Sequence, residues 1–179
     1  MNNISRHYPG VKFFLPLIFL SLSFSARAAD EPVAQESTPI APTQQGPQIW
    51  LTSGFLSYHF KRDAGYNEQN TGLGAELYFD DSNVIAAGIY RNSVRRTSHY
   101  LQYAWTPLSV GRIRLGAAIG LIDGYPKLRG GKVALSIMPI ASYHFKAFDH
   151  DAGLNLVYIP TVAPRVDGAL ALQLKIRLR

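Results

Sequence analysis

An all-β fold, an eight-stranded antiparallel up-and-down transmembrane β-barrel, is predicted by three features of this sequence. The segment from Ala169 to Arg179 alternates without a break, with Leu170, Leu172, Leu174, Ile176 and Leu178 on one side and Gln173, Lys175, Arg177 and Arg179 on the other. Successive side chains of a strand face opposite ways, so this segment has an aliphatic face and a polar one. Similar segments, eight in all, run from Ile49 to the C-terminus. Their connectors alternate between short turns and longer loops, which is the layout of an outer-membrane barrel with its long loops outside. A soluble sandwich would turn its leucines inward, whereas a barrel in lipid turns them out and lines its lumen with the polar face.

The chain begins with basic residues that lead through Lys12 into an apolar run, Phe13 to Phe24, followed by Ala26-Arg27-Ala28. This reads as a secretory signal peptide over residues 1–28, cut after Ala28; the run is too short for a spanning helix and ends in a small-x-small site. Residues 29–48, rich in Pro, Gln, Ser and Thr and without periodicity, read as a disordered leader. Residues 49–179 are the barrel. No stretch after residue 24 is apolar enough for a helical span, and with no cysteine an exported domain must hold together without disulfides.

The eight strands are expected at Ile49–Lys61, Gly72–Phe79, Val84–Arg91, Ser98–Pro107, Arg112–Ile122, Val133–Phe145, Ala152–Ile159 and Gly168–Arg179. Asp80-Asp81-Ser82-Asn83, Leu108 to Gly111 and Lys146 to Asp151 are the turns between them; Arg62–Thr71, Asn92–Thr97, Asp123–Lys132 and Pro160–Asp167 are the loops. In the fifth strand Ile113, Leu115, Ala117, Ile119 and Leu121 form the greasy face, and in the seventh Leu154, Leu156 and Tyr158 do. Arg114, Lys175 and Arg177 then point into the barrel, where a charge must be paired, and Glu76 is their expected counter-ion. Trp50, Tyr78, Phe79, Tyr90, Tyr100, Trp105, Tyr143, Phe145 and Tyr158 lie near strand ends, as interfacial girdles do, although core packing accounts equally well for about half of them. Gly88, Gly116, Ala118 and Gly120 leave room inside the barrel.

The net charge of +6 raises nucleic acid as a partner. Export, the lack of a nucleic-acid motif and the scatter of cations over several loops argue against it, and anionic lipid head groups fit better. His144, Asp149 and His150 fit no standard metal-ligand spacing, so no metal is expected; no phosphate-binding glycine loop is present, and no cofactor is implied.

Several short pieces occur in a fixed order: Tyr66-Asn67-Glu68, Gly72-Leu73-Gly74, Tyr90-Arg91-Asn92-Ser93, Ala104-Trp105-Thr106-Pro107-Leu108, Met138-Pro139-Ile140-Ala141-Ser142 and Tyr158-Ile159-Pro160. Together, over most of residues 53–179, they resemble the PagP family of outer-membrane lipid A palmitoyltransferases. The resemblance implies an eight-stranded barrel that moves an acyl chain from a phospholipid to lipid A and measures it in an internal hydrocarbon pocket. It also implies a bacterial outer-membrane location, lipopolysaccharide and phospholipid as partners, and a monomer. The family's catalytic Asp-Ser pair falls on Asn92-Ser93, matching the Ser alone. Its His falls near Ser53, while the histidine of this strand is His59.

Acyl transfer requires a hydroxyl made nucleophilic by a base, a group that orients the base, and donors for the developing oxyanion. His59 as base, Glu68 as its orienting carboxylate, Ser93 as nucleophile or oxyanion donor and Asn92 as amide donor are the candidates at one rim. Arg62, Arg91, Arg95, Arg96, Lys127, Arg129 and Arg165 gather on the same side, where they suit lipid A phosphates. The alternatives are a lipid A deacylase, a non-catalytic small barrel that binds lipopolysaccharide or supports the envelope, and a narrow pore. An eight-stranded interior is largely filled by side chains, which disfavours the pore.

Overall fold

A computed structural model describes residues 46–178. The signal peptide assigned to residues 1–28 and all but the end of the leader assigned to 29–48 lie outside the described residues. Eight strands form one closed antiparallel barrel in sequence order: β1 Gln48–His59, β2 Gln69–Tyr78, β3 Asn83–Arg91, β4 Thr97–Val110, β5 Ile113–Ile122, β6 Ala134–Ala147, β7 His150–Ile159 and β8 Ala169–Arg177. The barrel closes by pairing β1 with β8, from Trp50↔Arg177 to His59↔Ala169. Closure leaves no edge strand to pair with another chain.

The period-two pattern located every strand, and the differences lie at the ends. β4 continues to Val110 because its ladder with β5 resumes at Leu108↔Leu115 after an irregularity at Thr106-Pro107. Gly111, at φ 60°, then helps form the tight turn. β6 likewise runs on to Ala147, and Phe148 and Asp149 make its turn with φ of 49° and 64°, the left-handed pair that a two-residue hairpin requires.

The aliphatic faces point outward as the alternation requires. Ile113, Leu115, Ile119 and Leu121 of β5 and Leu170, Leu174 and Ile176 of β8 are exposed, whereas Thr52, Glu76, Ser98, Ser142, Asn155, Gln173 and Lys175 are buried inside. The charged lumen is paired differently from the sequence expectation. Of the three cations, Glu76 pairs with Lys175 alone, at 3.2 Å. Arg114 reaches Asp81 in the β2–β3 turn at 2.6 Å, and Arg177 pairs with Asp151 at the start of β7. Both arginines lie nearer the turn end than Glu76 does, so their long side chains reach the turn carboxylates first.

Of the aromatic residues assigned to a girdle, Phe79, Trp105, Tyr143 and Tyr158 are exposed on the wall, while Trp50, Tyr78, Tyr90 and Tyr100 fill the lumen. The room expected at Gly88 is also filled. A Cβ there would stand 2.7 Å from the Tyr100 ring, so this glycine makes space for an aromatic side chain.

One irregularity decides what faces the loop end. In β1 the register with both neighbours shifts between Thr52 and Phe55, a bulge centred on Ser53-Gly54. Trp50 and Thr52 point inward before it, and Phe55, Ser57 and His59 after it. Gly54 is required there, since a Cβ would meet the Asn70 carbonyl oxygen at 2.1 Å and the Gly72 nitrogen at 2.4 Å.

Candidate functional site

The lower lumen is closed by hydrogen bonds. Lys175 Nζ lies 2.5 Å from Tyr78 Oη, 2.7 Å from Ser142 Oγ and 2.8 Å from Asn155 Oδ1, besides its bond to Glu76. Asn155 donates to Glu76 at 2.5 Å and to Gln173 at 3.2 Å. On the turn side of this network Trp50, Tyr78 and His144 pack with ring centroids 5.0–5.8 Å apart. His144 is thus a lumen residue, with Nε2 3.3 Å from Tyr78 Oη. Among the described residues no three His, Cys, Asp or Glu side chains converge as a metal site.

Above the network the interior changes character. Phe55 packs edge-on against Tyr90 at 5.1 Å and Tyr100 at 6.1 Å. Over these rings opens a cavity of about 380 Å³, walled largely by apolar side chains such as Ile122, Met138, Val157 and Ala171 and reaching the loop end. Small residues at the inward positions of β8 make the space, since Ala169 and Ala171 stand where larger side chains would fill it.

His59 and Ser93 both line this cavity. The β1 bulge turns His59 inward at the strand end, where it is 6% exposed and packs on the Tyr66 ring at 4.6 Å. Its Nδ1 is buried without a hydrogen-bond partner. Glu68 Oε1 stands 4.0 Å from that nitrogen, beyond hydrogen-bond reach, and instead accepts the His59 backbone N–H at 3.3 Å. The Glu68 carboxylate is forked onto Arg62, whose guanidinium holds it below the usual carboxylate range. Arg62 also lies 4.6 Å over the Tyr58 ring. It is therefore engaged by neighbours of its own loop.

Asn92 is fully buried and serves the β3–β4 loop. Its Nδ2 donates to Ser98 Oγ at 2.9 Å and to the Gly124 carbonyl at 3.0 Å, and its Oδ1 accepts the backbone N–H groups of Val94 and Arg96 at 3.0 and 2.9 Å. The amide has no free proton. By holding the loop it sets Ser93 at the cavity, and the Ser93 carbonyl accepts the Asn67 N–H at 2.8 Å. Of the arginines assigned to phosphate, Arg165 lines the cavity and Arg95 donates to the Gly65 carbonyl at 3.0 Å. Arg91 and Arg96 are exposed at the rim.

Residues not singled out from the sequence complete the mouth. Tyr125 reaches in from the β5–β6 loop and puts its hydroxyl 2.9 Å from that of Tyr90; burial pushes its phenol up, and Ser93 lines the cavity with it. Asp167 joins three loops by accepting from Tyr66 and pairing with Lys127 at 3.5 Å. Its carboxyl is held below the usual range by the Tyr66 hydroxyl, while the Tyr66 phenol is pushed up to about 12. An aromatic after Gly124 and an acid just before Gly168 were the available signals.

The cavity also borders the barrel wall at one seam. The β6–β7 ladder stops at Ile140↔Val157, although β6 stays paired with β5 to Ala134 and β7 with β8 to Ile159. Pro139, next along β6, has no N–H to continue it, and Leu135 and Ile137 beyond it border the cavity. Against known proteins, the chain matches no family model and no curated protein.

Proposed function

We propose that the barrel crosses the bacterial outer membrane and transfers an acyl chain from a phospholipid to lipid A, in the manner of the PagP-like enzymes its sequence resembles. The observation that carries this reading is the cavity of about 380 Å³ with apolar walls, on which His59 and Ser93 both lie. It supplies an apolar space for a hydrocarbon chain and, at the mouth of that space, a base and a hydroxyl. The aliphatic outer wall suits lipid, and the unpaired β6–β7 seam suits lateral entry of a chain.

In this reading His59 takes the proton of the lipid A hydroxyl as that oxygen attacks the donor ester carbonyl. Ser93 and Tyr125 are the hydroxyls able to donate to the oxyanion. Collapse breaks the original ester bond, and the leaving lysophospholipid oxygen receives the proton from His59. One ester is exchanged for another, with no further reactant. Asn92, with both amide protons engaged, holds Ser93 rather than the oxyanion.

The same engagement of Asn92, together with the 4.0 Å gap between Glu68 and His59, favours a second reading, a barrel that binds the acyl chain without transferring it. Purified barrel incubated with phospholipid and lipid A, analysed by mass spectrometry, separates the two. Transfer predicts a gain of one acyl chain that His59→Ala reduces by roughly 10²-fold or more and Ser93→Ala also lowers. If the wild-type protein leaves lipid A unchanged, the enzymatic reading is wrong.

A further inference from the structure

The cavity runs down beside its aromatic floor along β4 to β6, and that wall is not wholly apolar. Gln102 faces it from β4 and Ser136 from β6, with Gly120 of β5 as the ladder partner of both. A Cβ on Gly120 would stand 2.8 Å from Gln102 Cγ. The glycine therefore lets the glutamine side chain lie across β5 toward Ser136. Met138, the next inward residue of β6, and Val157 of β7 continue the wall as hydrocarbon.

The pair is poorly satisfied. Gln102 Nε2 lies 3.4 Å from Ser136 Oγ, and that oxygen lies 3.3 Å from the Gly120 carbonyl, both beyond the ordinary range for such bonds. Gln102 Oε1 accepts from no donor among the described residues. With the amide turned over, Ser136 would donate to Oε1 and the amide protons would be left open, so in either orientation a polar atom is unfilled. The other polar pair on the cavity wall is closed, since Ser57 Oγ donates to Asn70 Oδ1 at 2.7 Å and Asn70 Nδ2 donates to the Arg91 carbonyl at 3.0 Å. A void of about 30 Å³ beneath Gln102 has room for water alone. The cavity above it has room for a chain.

A plain hydrocarbon chain packed here would strip this amide of solvent and offer it nothing in return. A hydroxyl on the chain both donates and accepts, so it completes the pair in either orientation of the amide. We propose that the cavity takes an acyl chain bearing a hydroxyl in its distal part, and that Gln102 with Ser136 selects it. The position of the hydroxyl follows from depth. About 13 Å of β4 separates Ser98, which bonds Asn92 at the rim, from Gln102. An ester held at His59 and Ser93 therefore keeps its nearest carbons well above the pair. The inference rests on reading the cavity as an acyl-chain site and holds whether or not the chain is transferred.

The test is native mass spectrometry of the full chain in detergent micelles, titrated with methyl palmitate and with methyl hydroxypalmitates carrying the hydroxyl at successive positions along the chain. Each affinity is read as the ratio of wild type to Gln102→Leu, so that partition into the micelle cancels. For one distal position this ratio is expected to exceed that of the plain chain roughly tenfold, the size of one buried hydrogen bond, with no excess when the hydroxyl lies beside the ester. Ser136→Ala should reduce the same preference by a smaller factor. Heat-modifiable gel migration checks that the variants fold, and if Gln102→Leu does not, the ratio is taken with Ser136→Ala. A ratio that is equal for the plain and all hydroxylated chains, or that peaks beside the ester, overturns the hydroxyl assignment and leaves the acyl-chain reading standing, with the amide served by water. Binding of none of these esters overturns both.

Discussion

Replacing Lys175 with methionine should destabilise the barrel by about 3–5 kcal/mol, the cost of removing one partner from a buried ion pair. The side chain of Lys175 is fully buried and that of Glu76 nearly so, at 0% and 7% exposed. The ammonium has three protons and four oxygen partners, Glu76, Tyr78, Ser142 and Asn155, so one proton is shared. Methionine fills similar volume but leaves the Glu76 carboxylate with the Asn155 amide alone. Lys175→Met/Glu76→Gln removes both charges while preserving an acceptor for Asn155, and should recover at least half of the loss. The two sites are in contact, so a coupling of about 0.5–3 kcal/mol is expected from the cycle. Urea unfolding of refolded protein, followed by tryptophan fluorescence, reads this directly, because the Trp50 ring lies 5.5 Å from Lys175 Nζ. A single variant within about 1 kcal/mol of wild type, or a double variant no better than the single, refutes a charge pair as the tie across the lower lumen.

Asp167 makes the loop mouth sensitive to acid. Its folded value lies below that of the unfolded chain, about 3.9, so its contribution is full above that value and is lost as pH falls through the lowered folded one. Protease cleavage in the loops should rise over that window, and Asp167→Asn should be open at neutral pH and show less further change. Asn92→Asp creates an Asp-Ser pair but sets a carboxylate oxygen where Nδ2 now donates to the Gly124 carbonyl at 3.0 Å. It should raise cleavage between Asn92 and Arg96 about tenfold, consistent with one lost buried hydrogen bond, and, under the proposed function, lower acyl transfer; unchanged cleavage would show that Asn92 is not a loop brace. Gly54→Val drives a Cβ into backbone atoms at 2.1 and 2.4 Å and should prevent refolding, seen as loss of heat-modifiable migration. A folded Gly54→Val barrel would show that the bulge is dispensable.

The strands and their faces were legible because the alternation in β5, β7 and β8 is nearly unbroken, and a one-residue slip would reverse every side chain. The lumenal charges at Lys175, Arg114 and Arg177 followed from the same parity. Glu76 was legible as the partner of Lys175, but the partners of the two arginines were not, since Asp81 and Asp151 belong to a turn and a strand end whose distances depend on barrel closure. Aromatic residues were ambiguous for a related reason. Proximity to a strand end is the same for Trp50, inside, and Trp105, outside, and only the face separates them. At the rim, the sequence brought His59 and Ser93 to one side of the barrel. It did not reveal that the Asn92 amide is engaged in holding its own loop, because that requires Gly124 and Ser98 to arrive from elsewhere in the chain.

The division of the lumen traces back to the bulge at Ser53-Gly54. Trp50 and Thr52 continue inward along the polar half, beside Glu76, Lys175 and Gln173. Had the same parity run on, Leu56, Tyr58 and Phe60 would enter the upper barrel and His59 would face the outer wall. Two large aromatics and a leucine would fill the space now open, and an imidazole would stand among exposed aliphatic side chains with no polar partner. The shifted register sends those three side chains outward and turns Phe55, Ser57 and His59 in. Phe55 joins Tyr90 and Tyr100 as the floor, and the smaller Ser57 leaves the volume above it empty. The change of parity in β1 therefore opens the cavity and delivers its histidine, and any chemistry at His59 depends on a glycine outside the cavity.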